Sequence, residues 1–161
     1  MIRVLFVCLG NICRSPLAEA VFRHNVKQSN LENQIEIDSA GTGGWHIGNP
    51  PHQGTREILQ QNEISFDGIV ARQVSSNDLE EFDYIIAMDA SNIENLKKLT
   101  KQFPASKVYR LMDFVHQPSV MDIPDPYFTG NFEEVYQLVE EGCTHLLHFI
   151  IKQHEGIEQN K

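Results

Sequence analysis

The chain has few cysteines, no long apolar run, and fewer basic than acidic residues. Three cysteines among 161 residues are too few and too unevenly spaced for a disulfide scaffold, and they suit a reducing cytoplasm. No stretch reaches the ~18 apolar residues of a membrane span, and no basic-then-apolar signal segment precedes Met1-Ile2-Arg3. A net charge of −9 argues against general nucleic-acid binding, because phosphate backbones require the opposite sign. We therefore expect a cytoplasmic protein with no nucleic-acid or membrane partner, and nothing in the sequence indicates an oligomeric state.

Short apolar segments alternate with helical patterns along the chain. An apolar content of 41% suits a domain with a full core. Strands that are nearly all apolar and are separated by helices indicate a parallel sheet covered on both faces. We expect an α/β fold, with one three-layer domain over residues 1–156 and a polar tail over residues 157–161. The predicted strands contain Val4-Leu5-Phe6-Val7, Ile35-Glu36-Ile37, Tyr84-Ile85-Ile86-Ala87-Met88 and Val108-Tyr109-Arg110-Leu111.

Local signals also predict where helices and loops begin. A helix is expected from about Pro16, and Asn131 with Glu134 predicts a capping box at the start of a long final helix. Residues 118–130 are rich in proline and aspartate and are expected to form a loop. His145 and His148 lie one helical turn apart without a companion cysteine or carboxylate motif, so we expect no metal site and no cofactor.

The most informative segment links the first predicted strand to the first predicted helix. Loop amides that turn inward and a helix N-terminus together form a cradle for an anion. Its arginine supplies a planar fork for two oxygens of a tetrahedral oxyanion. The same positive field favours the thiolate of its first cysteine, and the thiolate is the nucleophilic form. One loop thus predicts both a nucleophile and a phosphate site, and its residues are Cys8-Leu9-Gly10-Asn11-Ile12-Cys13-Arg14-Ser15.

Several further motifs resemble those of the low-molecular-weight protein tyrosine phosphatases, in the same order and over nearly the whole chain. A Cys-x5-Arg-Ser match alone is short, but an Asp-Pro-Tyr motif more than a hundred residues later makes the resemblance specific. It implies a four-stranded parallel sheet flanked by helices, metal-free catalysis and hydrolysis of phosphotyrosine in proteins. The matching segments are Asp38-Ser39-Ala40-Gly41-Thr42, Gly44-Trp45-His46-Ile47-Gly48, Ala71-Arg72-Gln73, Met88-Asp89 and Asp125-Pro126-Tyr127.

The resemblance implies a role for each residue of the catalytic centre. Cys8 resembles the nucleophile that forms a cysteinyl-phosphate, and Arg14 the phosphate clamp. Asp125 resembles the general acid that protonates the leaving phenolate and then acts as the base that activates water. A positioned acid typically contributes roughly 10²–10⁴-fold to such a step. Pro126 restricts the backbone of this aspartate.

Other positions resemble the supporting residues and the pocket walls of the family. Asn11 and Ser39 resemble a polar pair that fixes the loop, and Ser15 could donate a hydrogen bond to the Cys8 sulfur. Asp89 resembles the carboxylate that orients Arg14. The residues that would line a slot for an aromatic ring are Ile12, Trp45, Tyr127 and Phe128.

Three of these positions also have a simpler structural interpretation. Asp89 could be only the N-terminal cap of its helix, and Ser39 could bond only its own turn. Family members use the cysteine at position 13 to trap the oxidised nucleophile as a disulfide, but its side chain could equally point into the core. In the vertebrate branch of the family, a histidine shortly before the Ala-Arg-Gln segment joins the asparagine–serine network. In the nearest alignment, this chain has Ile69 at the position of that histidine.

Other functions occur on the same or a related loop, and the sequence bears on each of them. Thioredoxin-coupled arsenate reductases need further cysteines, and residues 82–89 contain none. Protein arginine phosphatase is the alternative function on this scaffold, because members of that group resemble this chain. They have threonine where Ile12 stands, and Ile12 favours an aryl ring over a guanidinium group. A phosphopeptide-binding module without activity would be expected to lack Cys8 or Asp125, and both are present. A thiol redox switch would show reversible inactivation by peroxide without phosphatase activity.

Overall fold

Four parallel strands form the centre of the molecule. In the computed structural model, which describes residues 1–154, the strands are β1 (Ile2–Cys8), β2 (Ile35–Gly41), β3 (Tyr84–Ala87) and β4 (Val108–Arg110). They lie in the order β2-β1-β3-β4, and every neighbouring pair is parallel. The predicted α/β fold with a four-stranded parallel sheet is confirmed.

Helices cover both faces of this sheet. Side chains alternate along a strand, so Phe6 of β1 packs in one apolar cluster and Leu5 in another on the opposite face. The Phe6 cluster includes residues from the first, second and sixth helices, and the Leu5 cluster includes residues from the third and fourth. The helices are α1 (Arg14–Gln28), α2 (Gln53–Gln61), α3 (Ser76–Glu81), α4 (Ala90–Lys97), α5 (Pro126–Thr129) and α6 (Phe132–Gln153).

The structure corrects several of the predicted boundaries. Helix α1 begins at Arg14, two residues before Pro16, because proline is tolerated in the first turn of a helix. Strand β4 ends at Arg110, and Leu111–Phe114 forms a 3₁₀ turn instead of extending the strand. Helix α5 is a single turn within the predicted loop of residues 118–130.

The predicted capping box at the start of α6 is only half formed. Asn131 Oδ1 accepts a hydrogen bond from the Glu134 amide at 3.1 Å. The return bond is replaced, because the Asn131 amide already donates to Thr129 Oγ1 at 3.1 Å. The predicted end of the domain at residue 156 and the predicted tail lie outside the described residues. Within residues 1–154, no helix combines the length and apolar character needed to cross a membrane.

Candidate active site

The loop between β1 and α1 lies at the carboxyl edge of the sheet. Cys8 is the last residue of β1 and Arg14 is the first residue of α1. Loop carbonyls are bonded outward to neighbouring segments: Cys8 O accepts from the Thr42 amide at 3.0 Å and Leu9 O from the Gly43 amide at 2.9 Å. Within the described residues, the amides of residues 9–13 have no hydrogen-bond partner. The loop thus presents several unpaired donors around one cysteine, as an oxyanion site requires.

Asn11 holds the shape of this loop. Its φ of 57° lies in the left-handed region, where asparagine is tolerated better than most other non-glycine residues. Its buried side-chain amide donates from Nδ2 to Ser15 Oγ at 2.7 Å and to Ser39 Oγ at 3.0 Å. Its Oδ1 accepts from the Arg72 amide at 3.0 Å. The side chain therefore ties the loop to α1, to β2 and to the segment after α2.

Two further contacts extend this network at its ends. The Cys8 sulfur lies 3.0 Å from Ser15 Oγ, and Ser39 Oγ donates to Oε1 of Glu19 at 2.6 Å. Ile69, which the alignment placed where vertebrate members have histidine, is buried in the apolar core. Ser39 is thus bonded both to Asn11 and to a carboxyl group from α1.

Arg14 is almost fully buried and is held by groups from distant parts of the chain. Its Nη1 donates to Asp89 Oδ2 at 2.6 Å and to the Ile123 carbonyl at 2.8 Å. Burial alone would lower the pKa of the guanidinium, but the negative charges of Cys8, Asp89 and Asp125 outweigh it and hold this pKa above its ordinary value. The Arg14 Nε atom is buried and has no partner within the described residues. An oxyanion bound in the loop is an acceptor of the kind that this donor lacks.

Asp89 makes the contacts that both of its interpretations require. Its Oδ1 accepts from the Asn92 amide at 2.8 Å as the N-terminal cap of α4, while its Oδ2 contacts Arg14. A carboxylate has two oxygens with several acceptor sites, so one side chain can cap the helix and orient the guanidinium.

Asp125 lies near the mouth of the loop, at the start of α5. Its Oδ1 accepts from the Tyr127 amide at 3.0 Å, and its Oδ2 lies 3.5 Å from Arg14 Nη2. The side chain is partly exposed, so it is accessible to a molecule entering from solvent. The hydrogen bond from the Tyr127 amide and the contact with Arg14 together hold this carboxyl group beside the pocket that contains Cys8.

A cavity of about 360 Å³ opens above the loop. The aromatic side chains at its mouth are unusually exposed for their size: Trp45 is 70% exposed, Tyr127 57% and Phe128 76%. Such a cavity combines apolar walls with a polar base that contains a cysteine. Its lining residues are Cys8, Leu9, Gly10, Ile12, Cys13, Trp45, His46, Asp125, Tyr127 and Phe128.

Comparison with known proteins agrees with this geometry. A model of the family described as low molecular weight phosphotyrosine protein phosphatase matches residues 3–156. The chain belongs to this family.

Individual relatives cover nearly the whole chain. The low molecular weight protein-tyrosine-phosphatase YfkJ of Bacillus subtilis is 60% identical over 153 residues, which are 95% of this chain and 98% of that protein. The YfkJ crystal structure has a TM-score of 0.93 at 59% identity and covers 95% of this chain and 96% of its own. PtpA of Staphylococcus saprophyticus, also called a low molecular weight protein-tyrosine-phosphatase, is 48% identical over 94% of this chain and 96% of that protein. The structure of DARP, described as drosophila arginine phosphatase, is 35% identical with a TM-score of 0.82, over 91% of this chain and 96% of that one.

One histidine lines the pocket and a second packs against one of its aromatic walls, and the sequence analysis singled out neither. His46 lines the cavity, and its ring lies against Gly10, where an added Cβ would come within 3.2 Å of the His46 ring. His52 stacks on Phe132 with ring centroids 5.1 Å apart and meets Tyr127 edge-on at 6.1 Å. His46 follows Trp45 in a matching family segment, which was a usable signal. The His52 contact joins segments distant in sequence and had no such signal.

Cys13 is buried, although it also contributes to the cavity lining. It packs with Ile12 and Ala71 in a small apolar cluster. Burial, with the negative charges of Cys8 and Asp125, raises the pKa of the Cys13 thiol to about 12. Near neutral pH this side chain is therefore a thiol, which is a much weaker nucleophile than a thiolate.

His145 and His148 do not form part of a metal centre in the described chain. Their ring centroids are 6.4 Å apart on α6. Across residues 1–154, no group of three or more histidine, cysteine, aspartate or glutamate side chains is arranged to hold a metal ion.

Proposed function

We propose that this protein is a protein-tyrosine phosphatase that hydrolyses phosphotyrosine through a cysteinyl-phosphate intermediate. The observation that carries the proposal is the set of unpaired donors around Cys8, namely the loop amides and the buried Arg14 Nε. They lie at the base of a cavity whose mouth is aromatic. This combination suits a phosphate attached to an aryl ring, and the family membership supports the same activity.

In the first step, the Cys8 thiolate attacks phosphorus and the bond from phosphorus to the tyrosine oxygen breaks. Arg14 and the loop amides hold the phosphoryl oxygens, where negative charge is concentrated in the transition state. Asp125 donates its proton to the leaving phenolate, since its carboxyl group lies beside the cavity and 3.5 Å from Arg14. The products are a cysteinyl-phosphate, a neutral tyrosine and an ionised Asp125.

In the second step, water attacks the same phosphorus and transfers a proton to the Asp125 carboxylate. The bond from phosphorus to sulfur breaks, and the electron pair returns to Cys8 as a thiolate. The Ser15 hydroxyl, 3.0 Å from this sulfur, stabilises the negative charge as it develops. Proton and electron balance need no metal ion or redox cofactor, so saturating EDTA is expected to leave the rate unchanged.

The proposed substrates are phosphotyrosine side chains of proteins, and the proposed location is the cytoplasm, where the three unpaired cysteines would remain reduced. Arginine phosphatase activity is not favoured. The tyrosine phosphatase relatives are 60% and 48% identical, against 35% for the arginine phosphatase DARP. Ile12 also lines the pocket where the arginine phosphatases are expected to have threonine.

The test is the Cys8→Ser variant assayed with a phosphotyrosine peptide. We expect turnover to be abolished, while binding of vanadate or phosphate remains measurable because the amides and Arg14 are intact. The matched control is Cys143→Ser, which changes a buried cysteine on α6 outside the cavity. Appreciable turnover by the Cys8→Ser variant would exclude a cysteinyl-phosphate.

A further inference from the structure

Glu19 is a buried carboxylic acid that the proposed reaction does not use. It lies on α1 and is only 7% exposed. Its one side-chain hydrogen bond in the described chain comes from Ser39 Oγ at 2.6 Å. None of the ion pairs among the described residues includes Glu19. Burying a carboxyl group costs free energy unless hydrogen bonds or an opposite charge compensate for the lost water. Glu19 is buried beside the hydrogen-bond network of the loop with only one such bond.

The direction of each hydrogen bond in this network follows from counting hydrogens. The Asn11 amide nitrogen has two hydrogens, one for Ser15 and one for Ser39, while its oxygen must face the Arg72 amide. A serine hydroxyl has a single hydrogen to donate. Ser39 therefore accepts from Asn11 and donates to Glu19, whose Oε1 is the acceptor.

The same count applies at the other end of the network. Ser15 accepts from Asn11, so its only hydrogen is available for the Cys8 sulfur 3.0 Å away. If Asn11 turned its amide by half a rotation, its oxygen would face the two serines and compete for their hydrogens. The donation from Ser15 to Cys8 thus depends on the orientation of Asn11. That orientation is fixed by Arg72 on one side and by Ser39 on the other.

We propose that Glu19 is a positioning residue for hydrolysis of the cysteinyl-phosphate: by accepting the Ser39 hydrogen, it fixes the Asn11 amide and keeps Ser15 donating to Cys8. The inference rests on the proposed function and adds to it a residue outside the cavity. Glu19 touches none of the reacting atoms and acts only through Ser39, Asn11 and Ser15. The step affected is the one in which negative charge returns to sulfur, because that is where the Ser15 donor stabilises the transition state more than the ground state.

The experiment measures both chemical steps with p-nitrophenyl phosphate in rapid-mixing assays. The burst of nitrophenol reports formation of the intermediate, and the following steady state reports its hydrolysis. We expect Glu19→Ala to slow the hydrolysis step about ten-fold, roughly the value of one lost hydrogen bond, and to slow the burst much less. Glu19→Gln retains a side-chain oxygen for Ser39 and should recover most of the lost hydrolysis rate. The exposed Glu32→Ala variant is the control and should match the unmodified protein.

A double-mutant cycle with Ser15→Ala tests the proposed route. In the Ser15→Ala background there is no hydroxyl to orient, so adding Glu19→Ala should cause little further loss of hydrolysis. Equal losses in both backgrounds, or equal slowing of burst and hydrolysis by Glu19→Ala, would overturn the positioning role. If Glu19→Ala does not fold, Ser39→Ala breaks the same link and must show the same selective slowing. Absence of any burst or turnover in the unmodified protein would instead refute the proposed function itself.

Discussion

The protonation of Glu19 should make the stability of this protein depend on pH in a way that a single substitution removes. Burial raises the pKa of Glu19 from its ordinary value of 4.5 to about 7, even though the hydrogen bond from Ser39 lowers it. Among the neighbouring charges, Asp38 raises this pKa further, while Arg23 and Arg72 lower it. The folded protein thus retains a proton that the unfolded chain releases.

The sign of the effect follows from this difference in proton binding. Below pH 4.5 both states hold the proton and Glu19 causes no penalty. As the pH rises toward 7, the unfolded chain ionises first, and stability falls until the folded form also ionises. A displacement of the pKa from 4.5 to about 7 corresponds to about 3 kcal/mol of unfolding free energy. The folded protein has lost this full amount of stability once the pH is above 7.

Glu19→Gln replaces the carboxyl group with an amide of the same shape that does not titrate. The unfolding free energy of the variant minus that of the unmodified protein should therefore increase by about 3 kcal/mol as the pH rises from 4 to 8. For a domain of this size, that gain corresponds to roughly 6–12 °C in melting temperature. Any change in the hydrogen bond to Ser39 would add a constant offset at every pH, so the slope with pH carries the information.

The assay is urea unfolding followed by far-UV circular dichroism at a series of pH values. Fluorescence would be a poor probe, because Trp45 is the only tryptophan and is 70% exposed in the folded state. Glu32→Gln removes an exposed carboxylate and serves as the matched control. A difference between Glu19→Gln and the unmodified protein that stays constant from pH 4 to pH 8 would refute the assignment of a raised pKa to Glu19.

Four further predictions concern the catalytic centre. Asp125→Ala should reduce turnover of a phosphotyrosine peptide roughly 10²–10⁴-fold but reduce turnover of p-nitrophenyl phosphate less, since nitrophenolate leaves without a proton; equal losses would contradict a general acid. Ile12→Thr should shift the ratio of kcat/KM toward phosphoarginine peptides, and an unchanged ratio would show that this side chain does not select the substrate. Asp89→Asn retains a good helix cap but removes the negative charge beside Arg14, so kcat/KM should fall about ten-fold with little change in melting temperature. Asp89→Ala removes the cap as well and should also lower the unfolding free energy by about 1 kcal/mol. Mild peroxide should inactivate the enzyme reversibly through a disulfide between Cys8 and Cys13. Cys13→Ser should make the loss of activity irreversible. The prediction is contradicted if peptide mass spectrometry finds only over-oxidised Cys8 in the unmodified protein.

Much of the site could be predicted because its chemistry is local in sequence. The cysteine, the loop amides and Arg14 belong to one short segment between a strand and a helix, and the strand–loop–helix order follows from hydrophobic periodicity alone. The parallel sheet was predictable for a similar reason, since strands that are apolar on both faces must be covered on both sides. Helix α3 was not predicted, because its six residues form fewer than two turns and bury only Asp78 and Leu79.

The tertiary structure decided which distant groups meet the loop. Asp89 is 75 positions from Arg14 and Asp125 is 111 positions away, yet both reach the same guanidinium because β1 and β3 are neighbours in the sheet and α5 follows at the same edge. The family resemblance suggested the contact of Asp89 with Arg14 and a catalytic role for Asp125, but the contact of Asp125 with Arg14 came only from the folded structure.

Glu19 is the clearest case of a residue that the sequence did not reveal. On a helix with an apolar stripe, a glutamate is ordinarily expected on the solvated face, and nothing in the neighbouring residues predicts otherwise. Helix α1 and strand β2 approach closely enough that this carboxyl group meets Ser39, whose position is set by the pairing of β2 with β1. Sequence alone determined the class of fold and the order of strand, loop and helix, and it predicts Cys8 as the nucleophile, because these depend on short-range spacing and on periodicity. The packing of α1 against the sheet determined the support behind the loop, because burial and hydrogen-bond partners are properties of the folded chain.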